Sequence, residues 1–467
     1  MLIYLIFDVE DLVHSDSDDI PRDIGTMLAD DGVVATMCVV GEKARLWEQR
    51  GRRDVLAAVA QHDVCLHTDR HSVHPTVSEY LADKDWADGV AEIVRQEGQG
   101  ARDLARILGQ YPSSWGTSGN SWGPQVPAGT RLVGIPSNVY THVKAGDTGA
   151  CWFAGQLCYS DYVGLPGGED AYCDDEAFER GLPALLAEIE RARQNGVGCI
   201  GLFGGHPTRL RYRVFWDALN YNRGQNTTPT DYQFAPRRED DAYRLGLRNL
   251  RRMVAAVREL PEVRILSVRA LNQRVPPDHT AISWDELGKL ASDASQSAVI
   301  STDDSTASPA QLLDLLGRAF LTAAIGSTRP KCLLPRLVLG PVSQPPLLDQ
   351  SLVVNATQLL SMCEALVRHI DATQHLPVSL EVDGVQIGPG PFLRSLTRAY
   401  PHVLEGTLTP TSIEPGPQEP DVAESLAQEG IYKMLPEWTP HTPDLKLEKL
   451  ALHMRLQCWS LKPALLI

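Results

Sequence analysis

The stretch LIYLIFDVED, residues 2–11, decides the fold of the first half of the chain, together with VCLHTDRH at residues 64–71. Each stretch begins as a short apolar run, typical of a buried strand, and ends in polar side chains. In α/β folds, the carboxyl ends of parallel strands carry ligands and catalytic groups. Two imidazoles four residues apart, together with a carboxylate, predict a metal site with open positions for water and substrate. The pattern therefore indicates a metal-dependent hydrolase.

Composition limits the class of protein. The 467 residues exceed what one hydrophobic core ordinarily holds, so we expect two or three domains. The net charge of −16 argues against a nucleic-acid-binding surface. The sequence has no apolar run long enough for a transmembrane helix, and residues 2–7 are too short for a signal peptide, which predicts a cytoplasmic protein. The nine cysteines lack CxxC spacing, so we expect buried thiols in a reducing compartment.

The first 275 residues alternate apolar runs with segments of helical periodicity. This alternation predicts an α/β fold with a parallel barrel or a doubly wound sheet. Residues 109–168 are rich in Gly, Pro, Ser and Trp and predict long loops, which would form the rim of an active site. The predicted strands are 2–7, 33–40, 64–66, 132–135, 197–203 and 263–268, and the predicted helices are 20–31, 52–61, 87–108, 176–195 and 240–260.

A Val-Pro-Pro-Asp segment at residues 275–278 marks a domain boundary, and an internal repeat follows it. Residues 308–320 align without gaps on residues 388–400, at a period of 80 residues. Tandem duplication explains the match better than chance, although one short match leaves chance open.

We therefore expect a mainly helical C-terminal region with two small repeats, and a tail that docks on a neighbouring domain or subunit. The expected domains are 1–275 for the hydrolase, 276–375 for the first repeat, and 376–467 for the second repeat and tail.

Four segments of the first half together resemble the polysaccharide deacetylases, the NodB-homology group of carbohydrate esterase family four. Residues 5–10 (LIFDVE) resemble the family's first motif and residues 34–41 (VATMCVVG) its second strand. Residues 61–71 resemble the histidine motif, and residues 200–207 (IGLFGGHP) the late strand with the final histidine. The motifs follow the family's order. The resemblance implies a distorted (β/α) barrel that holds a divalent metal ion, usually Zn²⁺, and removes acyl groups from carbohydrates.

The resemblance also implies a role for each motif residue. Asp8 would be the general base and Glu10 a metal ligand, and alternation along a strand places both on one face. Asp11 is an alternative ligand. His67 and His71 would be the imidazole ligands, which a helical turn after the strand would align on one face. Metal-assisted hydrolysis of an acyl group is the chemistry that follows.

The remaining candidate residues lie later in the chain. His206 follows two glycines that permit close approach to substrate, and the resemblance implies that it is the general acid for the leaving group. We predict substrate contacts for Trp115 and Trp122, which can stack on a sugar face or pack the rim of the site. His74 adds a third imidazole that can bind substrate or pack within its loop.

The chain departs from the family in its middle motif. Residues 111–124 contain no arginine, whereas the family has an Arg-x-Pro segment that braces the base. Loss of this cation predicts a raised pKa for Asp8. Three hypotheses stay open: a deacetylase acting on N- or O-acetylated carbohydrate, a hydrolase of a small non-peptide amide or ureide, and a catalytically weakened homologue that binds glycan. The intact acidic and imidazole residues favour an enzyme.

The two repeats weakly resemble pseudomurein-binding repeats, in which an extended segment precedes a helix that ends in a small–aromatic pair. The resemblance covers about a dozen residues in each copy. It implies that the C-terminal region contacts a glycan or another protein.

Overall fold

The computed structural model describes residues 1–146, 148–276, 280–293, 306–324 and 331–466. Its strands are β1 (Leu2–Val9), β2 (Thr36–Val39), β3 (Asp63–Leu66), β4 (Ser114–Gly116), β5 (Ser137–Val139), β6 (Ala150–Phe153), β7 (Gln156–Tyr159), β8 (Tyr162–Gly164), β9 (Cys199–Gly205), β10 (Arg264–Leu266), β11 (Ile282–Ser283), β12 (Cys332–Leu333), β13 (Leu352–Val354), β14 (Leu380–Val382), β15 (Val385–Ile387), β16 (Thr411–Ile413) and β17 (Lys462–Pro463).

Helices cover the faces of this sheet and form most of the C-terminal region. They are α1 (Asp19–Asp30), α2 (Gly41–Gln49), α3 (Arg53–Val59), α4 (Val77–Leu81), α5 (Trp86–Leu108), α6 (Gln125–Val133), α7 (Gly168–Tyr172), α8 (Asp175–Gln194), α9 (Pro207–Arg211), α10 (Trp216–Asn220), α11 (Asp240–Arg258), α12 (Val268–Asn272), α13 (Trp284–Asp293), α14 (Pro309–Ala324), α15 (Ala356–Thr373), α16 (Pro389–Leu404), α17 (Ala423–Ala427) and α18 (Glu448–Gln457). Among the described residues, we find no helix with the length and apolar character that crossing a membrane requires.

An eleven-stranded sheet organises the first half of the molecule. Its order is β17-β6-β7-β5-β4-β3-β2-β1-β9-β8, and β10 pairs with the first residues of β1. The strands from β5 to β8 along this path are all parallel to their neighbours. Strand β1 is buried at seven of its eight residues. Ile3, Leu5 and Phe7 belong to the main hydrophobic cluster, and Tyr4 and Ile6 belong to a second cluster formed largely by side chains of the other strands. The predicted distorted (β/α) barrel is confirmed, and it is open in the described residues, where β8 and β17 form the two ends.

Most predicted elements of this half are present, and one is wrong. Five of the predicted strands correspond to β1, β2, β3, β9 and β10, and the predicted helices correspond to α1, α3, α5, α8 and α11. The strand predicted at residues 132–135 is instead the end of α6, which Gly134 terminates in a left-handed conformation (φ 93°) before β5 begins. The long loops predicted for residues 109–168 contain the short strands β4 to β8.

A second hydrophobic core lies in the C-terminal region. It joins α13, α14, α15 and α16, with side chains such as Leu312, Leu316, Leu366 and Leu396 fully buried in it. The two segments of the predicted repeat lie in α14 and α16, each 16 residues long. These helices pack in one core, and the duplication itself stays a prediction.

The end of the chain returns to the first core. Ile431, Leu435, Leu450 and Met454 belong to the hydrophobic cluster around the large sheet. Strand β17 pairs with β6 at the edge of that sheet. The tail thus docks on the first half of the molecule, as its apolar residues predicted. The three-part division of the chain stays a proposal.

All nine cysteines lie within the described residues and are free thiols. Seven are buried, whereas Cys173 is partly exposed and Cys332 is exposed.

Candidate active site

Two carboxylates lie at the carboxyl end of β1. Asp8 is the penultimate residue of the strand and Glu10 follows its end, so alternation directs both side chains towards the same region. Both are buried, at 6% and 4% exposure. Asp11 is engaged elsewhere: it accepts hydrogen bonds from the backbone of Val13 and from the ring of His14. Glu10, and not Asp11, is therefore available as a ligand.

The histidine loop, residues 67–72, follows β3 directly. The expectation of a helical turn is wrong, because these residues form a bend and a turn in which Thr68 and His71 adopt positive φ angles of 59° and 50°. Thr68 Oγ1 accepts a hydrogen bond from the backbone N–H of His71 (2.9 Å) and also contacts Ser118 Oγ (2.9 Å). This local bonding holds the backbone in a conformation that non-glycine residues rarely adopt. The loop, and not a helix face, brings the two imidazoles together.

The carboxylate and the two imidazoles converge. Glu10 Oε2 is 2.8 Å from His71 Nε2 and 3.5 Å from His67 Nε2. One ligand atom from each of Glu10, His67 and His71 lies within 4.8 Å of the others. His71 Nε2 and Glu10 Oε2 are at ion-pair distance, whereas both ring nitrogens of His67 are buried without a hydrogen bond. Buried polar atoms are normally paired, so an unpaired imidazole beside a carboxylate and a second imidazole fits a divalent cation.

A hydrogen-bonded chain fixes the tautomer of His71. Ser72 Oγ donates to Asp217 Oδ2 (2.7 Å) and therefore accepts from His71 Nδ1, which is 2.6 Å away. The ring proton is then on Nδ1, and Nε2 presents its lone pair to the site. On the other side, Trp216 Nε1 donates to Glu10 Oε1 (3.3 Å). Burial works to lower the pKa of His71, but the charge of Glu10 outweighs it and raises that pKa.

A second group of three, formed by Asp8, Cys38 and His67, is also close enough to hold a metal. Burial raises the pKa of the Cys38 thiol well above its usual value, which keeps the thiol protonated. A protonated thiol is a poor metal ligand. The set of Glu10, His67 and His71 is therefore the better metal site.

Asp8 faces both the metal site and His206. Its Oδ2 is 3.7 Å from His67 Nε2 and 3.7 Å from His206 Nε2, and its Oδ1 is buried without a hydrogen bond. Burial raises the pKa of Asp8, and the nearby imidazoles of His67 and His206 only partly oppose this. Among the described residues, Asp8 has no arginine within ion-pair distance. Its ion-pair partners there are imidazoles, and burial is the main cause of its raised pKa.

His206 has a carboxylate partner that sequence reasoning missed. Glu169 Oε1 accepts hydrogen bonds from the ring Nδ1 (2.6 Å) and the backbone N–H (2.8 Å) of His206. Burial works to lower the pKa of His206, but Glu10, Glu169 and Asp8 raise it to about 10. Burial works to raise the pKa of Glu169, and His206 lowers it to about 2. The pair is therefore an imidazolium and a carboxylate. In the sequence, the only signal for Glu169 is its position directly after the glycines that end the predicted rim loops.

Trp115 and Trp122 pack inside the protein, which is the alternative to sugar stacking. Both are 0% exposed, so neither can stack on a sugar in this structure. Trp115 donates from Nε1 to the buried carboxylate of Glu97 (2.9 Å). His74 is held by Glu79 (2.7 Å) and by the carbonyl oxygen of Tyr221 (3.0 Å), and its contact with substrate stays a prediction.

The glycines before His206 also act differently from the prediction. A Cβ at Gly204 would lie 2.2 Å from the ring of Phe7, so this glycine permits packing between β9 and β1. Gly205 has a φ of 113° and its Cβ position is 3.0 Å from Glu169. Both glycines leave space for protein side chains, those of Phe7 and Glu169, and not for substrate. In this way they help to position His206.

A cavity of about 580 Å³ opens beside Asp8 and His206. Its walls come from the ends of β5, β8 and β9, the loop after β4, and the C-terminal segment. The residues that line it are Asp8, Thr117, Gly119, Asn120, Tyr140, Thr141, His142, Lys144, Ser160, Tyr162, Phe203, His206, Ser425, Leu426, Glu429, Gly430 and Met434.

Comparison with known proteins gives distant structural neighbours only. No protein-family model and no curated protein matches the sequence. Similar solved structures include a Mycobacterium smegmatis protein described as a polysaccharide deacetylase (15% identity, 58% of this chain, 88% of that chain, TM-score 0.37). They also include a family 4 carbohydrate esterase from Streptomyces lividans (13%, 55%, 88%, TM-score 0.29) and an allantoinase (12%, 58%, 89%, TM-score 0.35). Similarity of this degree leaves the function to be argued from the site.

Proposed function

We propose that this chain is a metal-dependent hydrolase that removes an N- or O-acetyl group from a carbohydrate. The observation that carries the proposal is the convergence of Glu10, His67 and His71 beside Asp8 and His206, with both ring nitrogens of His67 buried and unbonded. A site that only stabilised the fold would give the buried His67 ring a hydrogen-bond partner. The arrangement of these side chains instead suits a cation and a reacting molecule.

Glu10, His67 and His71 would hold the cation, for which we propose Zn²⁺ because two imidazoles and one carboxylate suit it. When bound, it supplies Lewis acidity towards an acyl carbonyl oxygen. The protein's own residues do the proton transfers. Asp8 has a free, buried Oδ1 and a raised pKa, which suit it to accept a proton from the attacking water.

His206 would complete the reaction as general acid. Glu169 accepts the proton of Nδ1, so the imidazolium directs its second N–H, at Nε2, towards the Asp8 side of the site. That proton can pass to the nitrogen or oxygen that leaves the acyl carbon. A base and an acid on one substrate cavity, each with its own partner, are what acyl transfer to water requires.

A hydrolase of a small amide or ureide stays the second candidate. The observation that favours it is the cavity of about 580 Å³, which the C-terminal segment bounds on one side. A space of this size matches a small ligand.

Metal content and acetate release test the proposal together. Protein purified without chelator should contain about one divalent ion per chain, and His67→Ala should remove it. The matched control is His74→Gln, because this imidazole bonds Glu79 and Tyr221 and lies outside the group of candidate ligands; the variant should keep the ion. With acetylated amino sugars and chitooligosaccharides, Asp8→Asn should release acetate about 100-fold or more slowly than the unmodified chain. Equal metal content in His67→Ala, or equal rates in Asp8→Asn, would refute the assigned roles.

A further inference from the structure

The cap segment, residues 423–438, forms one wall of the cavity beside Asp8 and His206. It comprises α17, a short π-helix at Gln428–Lys433 and the turn that leads to Trp438. Ser425, Leu426, Glu429, Gly430 and Met434 of this segment line the cavity. The cap segment lies more than 200 residues beyond His206, outside the four motifs that indicated the site.

Close contacts fix the cap segment to the barrel. Asn120 Nδ2 donates to the carbonyl oxygen of Met434 (2.8 Å). A Cβ at Gly430 would lie 3.1 Å from His142, and one at Gly119 would lie 2.1 Å from Trp438 Nε1, so at both points the two parts touch without space for a side chain. Trp438 also packs its ring edge-on to His71, with centroids 5.7 Å apart. The segment is a built wall of the site, in contact with the metal-binding loop.

The cavity walls are apolar away from the reacting groups. Tyr140, Tyr162 and Phe203 form an aromatic cluster with ring centroids 5.3–6.1 Å apart. The cap segment adds Leu426 and Met434. The two other charged side chains that line the cavity are each paired outside it, Lys144 with Asp161 and Glu429 with Lys433.

Few polar atoms of the walls are left for a ligand. The hydroxyls of Thr117 and Tyr140 and the ring Nε2 of His142 are buried without hydrogen-bond partners. Tyr140 is also held at a positive φ of 57°, a conformation that is unfavourable for a tyrosine and that recurs at functional sites. These two hydroxyls suit the few polar groups of a mainly apolar ligand.

We propose that the substrate is an acetylated amino sugar joined to an apolar alkyl or aryl group, and that the apolar group binds between the aromatic cluster and the cap segment. This inference rests on the proposed deacetylase function. Leu426 and Met434 are then specificity-determining residues. Burial of the apolar group against them supplies binding energy that an unsubstituted sugar lacks.

The test compares N-acetylglucosamine with its octyl β-glycoside, kept below its micelle concentration. We expect kcat/KM for acetate release to be at least about 10-fold higher for the octyl glycoside. Leu426→Ala and Met434→Gln should each reduce that ratio by about threefold or more. Both side chains are partly exposed, and Leu426 also packs against the first core, so the ratio of the two rates within each variant, and not the rate itself, is the measurement. Leu347→Ala, at a leucine that is 76% exposed and away from the cavity, is the control and should leave the ratio unchanged.

A calorimetric arm separates this inference from the proposed function. The octyl glycoside is titrated into Asp8→Asn, and into Asp8→Asn combined with Leu426→Ala, so that binding is measured without turnover. If no acetate is released but the octyl glycoside binds and Leu426→Ala weakens it, the apolar site stands and the deacetylase function fails. If acetate is released equally well from both sugars and the cap variants change nothing, the inference is overturned. Absence of both acetate release and binding overturns both.

Discussion

The histidine loop and the end of β9 both supply imidazoles to one site, but they leave the ring nitrogens in different states. In the loop, both ring nitrogens of His67 lack hydrogen bonds, and the Nε2 atoms of His67 and His71 face the carboxylate of Glu10. At the strand end, His206 is held by Glu169 through its ring and its backbone. The same residue type thus suits metal binding in one region and proton donation in the other. The partner of each ring, and not the ring itself, decides its role.

The largest expected effect is a difference in Zn²⁺ affinity between a variant of the metal site and a variant of the β9 end. Glu10→Gln should weaken Zn²⁺ binding by at least about 1,000-fold, because it removes the anionic ligand, whereas loss of an outer partner of a ligand costs about 10–100-fold. His206→Gln should bind Zn²⁺ within about threefold of the unmodified chain, because His206 is outside the ligand set. Calorimetric titration measures both. Equal losses in the two variants would remove the distinction between the regions.

The second effect is on turnover. His206→Gln should lower kcat by about 100-fold to 10,000-fold while metal content is unchanged, because the leaving group no longer receives a proton from the protein. Rates are measured on acetylated sugar with metal content determined on the same sample. A substrate with a better leaving group should recover part of the loss. Uniform loss across leaving groups would assign His206 a structural role.

The outer partner of the metal loop gives the third effect. Ser72→Ala removes the link between His71 Nδ1 and Asp217, which fixes the ring orientation and tautomer. Metal affinity should fall by about 10-fold. Ser78→Ala, a buried serine away from the ligands, is the matched control. An unchanged affinity in Ser72→Ala would show that the ring is oriented by packing alone.

The fourth effect appears in the pH dependence of turnover. Glu169 stabilises the charged form of His206 and raises its pKa, together with Glu10 and Asp8. Glu169→Gln removes one anion, so the pKa of His206 falls and its proton-bearing form is lost at lower pH. The alkaline limb of the kcat profile should therefore move towards lower pH, with kcat reduced about 10-fold near neutral pH. A profile that keeps its alkaline limb would contradict the pairing.

The smallest effect concerns the support of the histidine loop. Glu97 accepts a hydrogen bond from the backbone of Asp69 (3.0 Å), and burial raises its pKa to about 7. In the unfolded chain the carboxyl loses its proton at lower pH, so stability declines as pH rises from about 4.5 to about 7, by about 3 kcal/mol. Glu97→Gln should flatten this decline, as chemical denaturation at about pH 5 and about pH 8 would show. An identical decline in the variant would assign the pH dependence to another group.

Local sequence patterns predicted much of the first half of the fold and the candidate metal ligands, because strand alternation and strand ends depend on short-range rules. Strand alternation placed Asp8 and Glu10 together, and an apolar run placed His67 at a strand end. The partners that determine the roles were not predictable in this way. Asp217 lies 145 residues from Ser72, and Glu169 lies 37 residues from His206, with no spacing rule that connects them. Only the assembled sheet brings these loops together.

The tryptophans show a second limit of sequence reasoning. Trp115 and Trp122 lie in the segment that was predicted to form the rim of the active site, and their amphipathic rings are of the type that stacks on sugars. Burial under neighbouring elements decides their role, and no local pattern reveals it. The cap segment was missed for the same reason, because its place on the cavity follows from the return of the chain end to the first core.

X-ray absorption at the zinc edge of the zinc-loaded chain would show directly whether Glu10, His67 and His71 bind the ion. We expect one bound ion with two imidazole nitrogens and carboxylate oxygen at about 2.0–2.2 Å. The His67→Ala protein, loaded in the same way, should show one imidazole fewer or no bound ion. A spectrum without imidazole ligands, or one that His67→Ala leaves unchanged, would contradict the account.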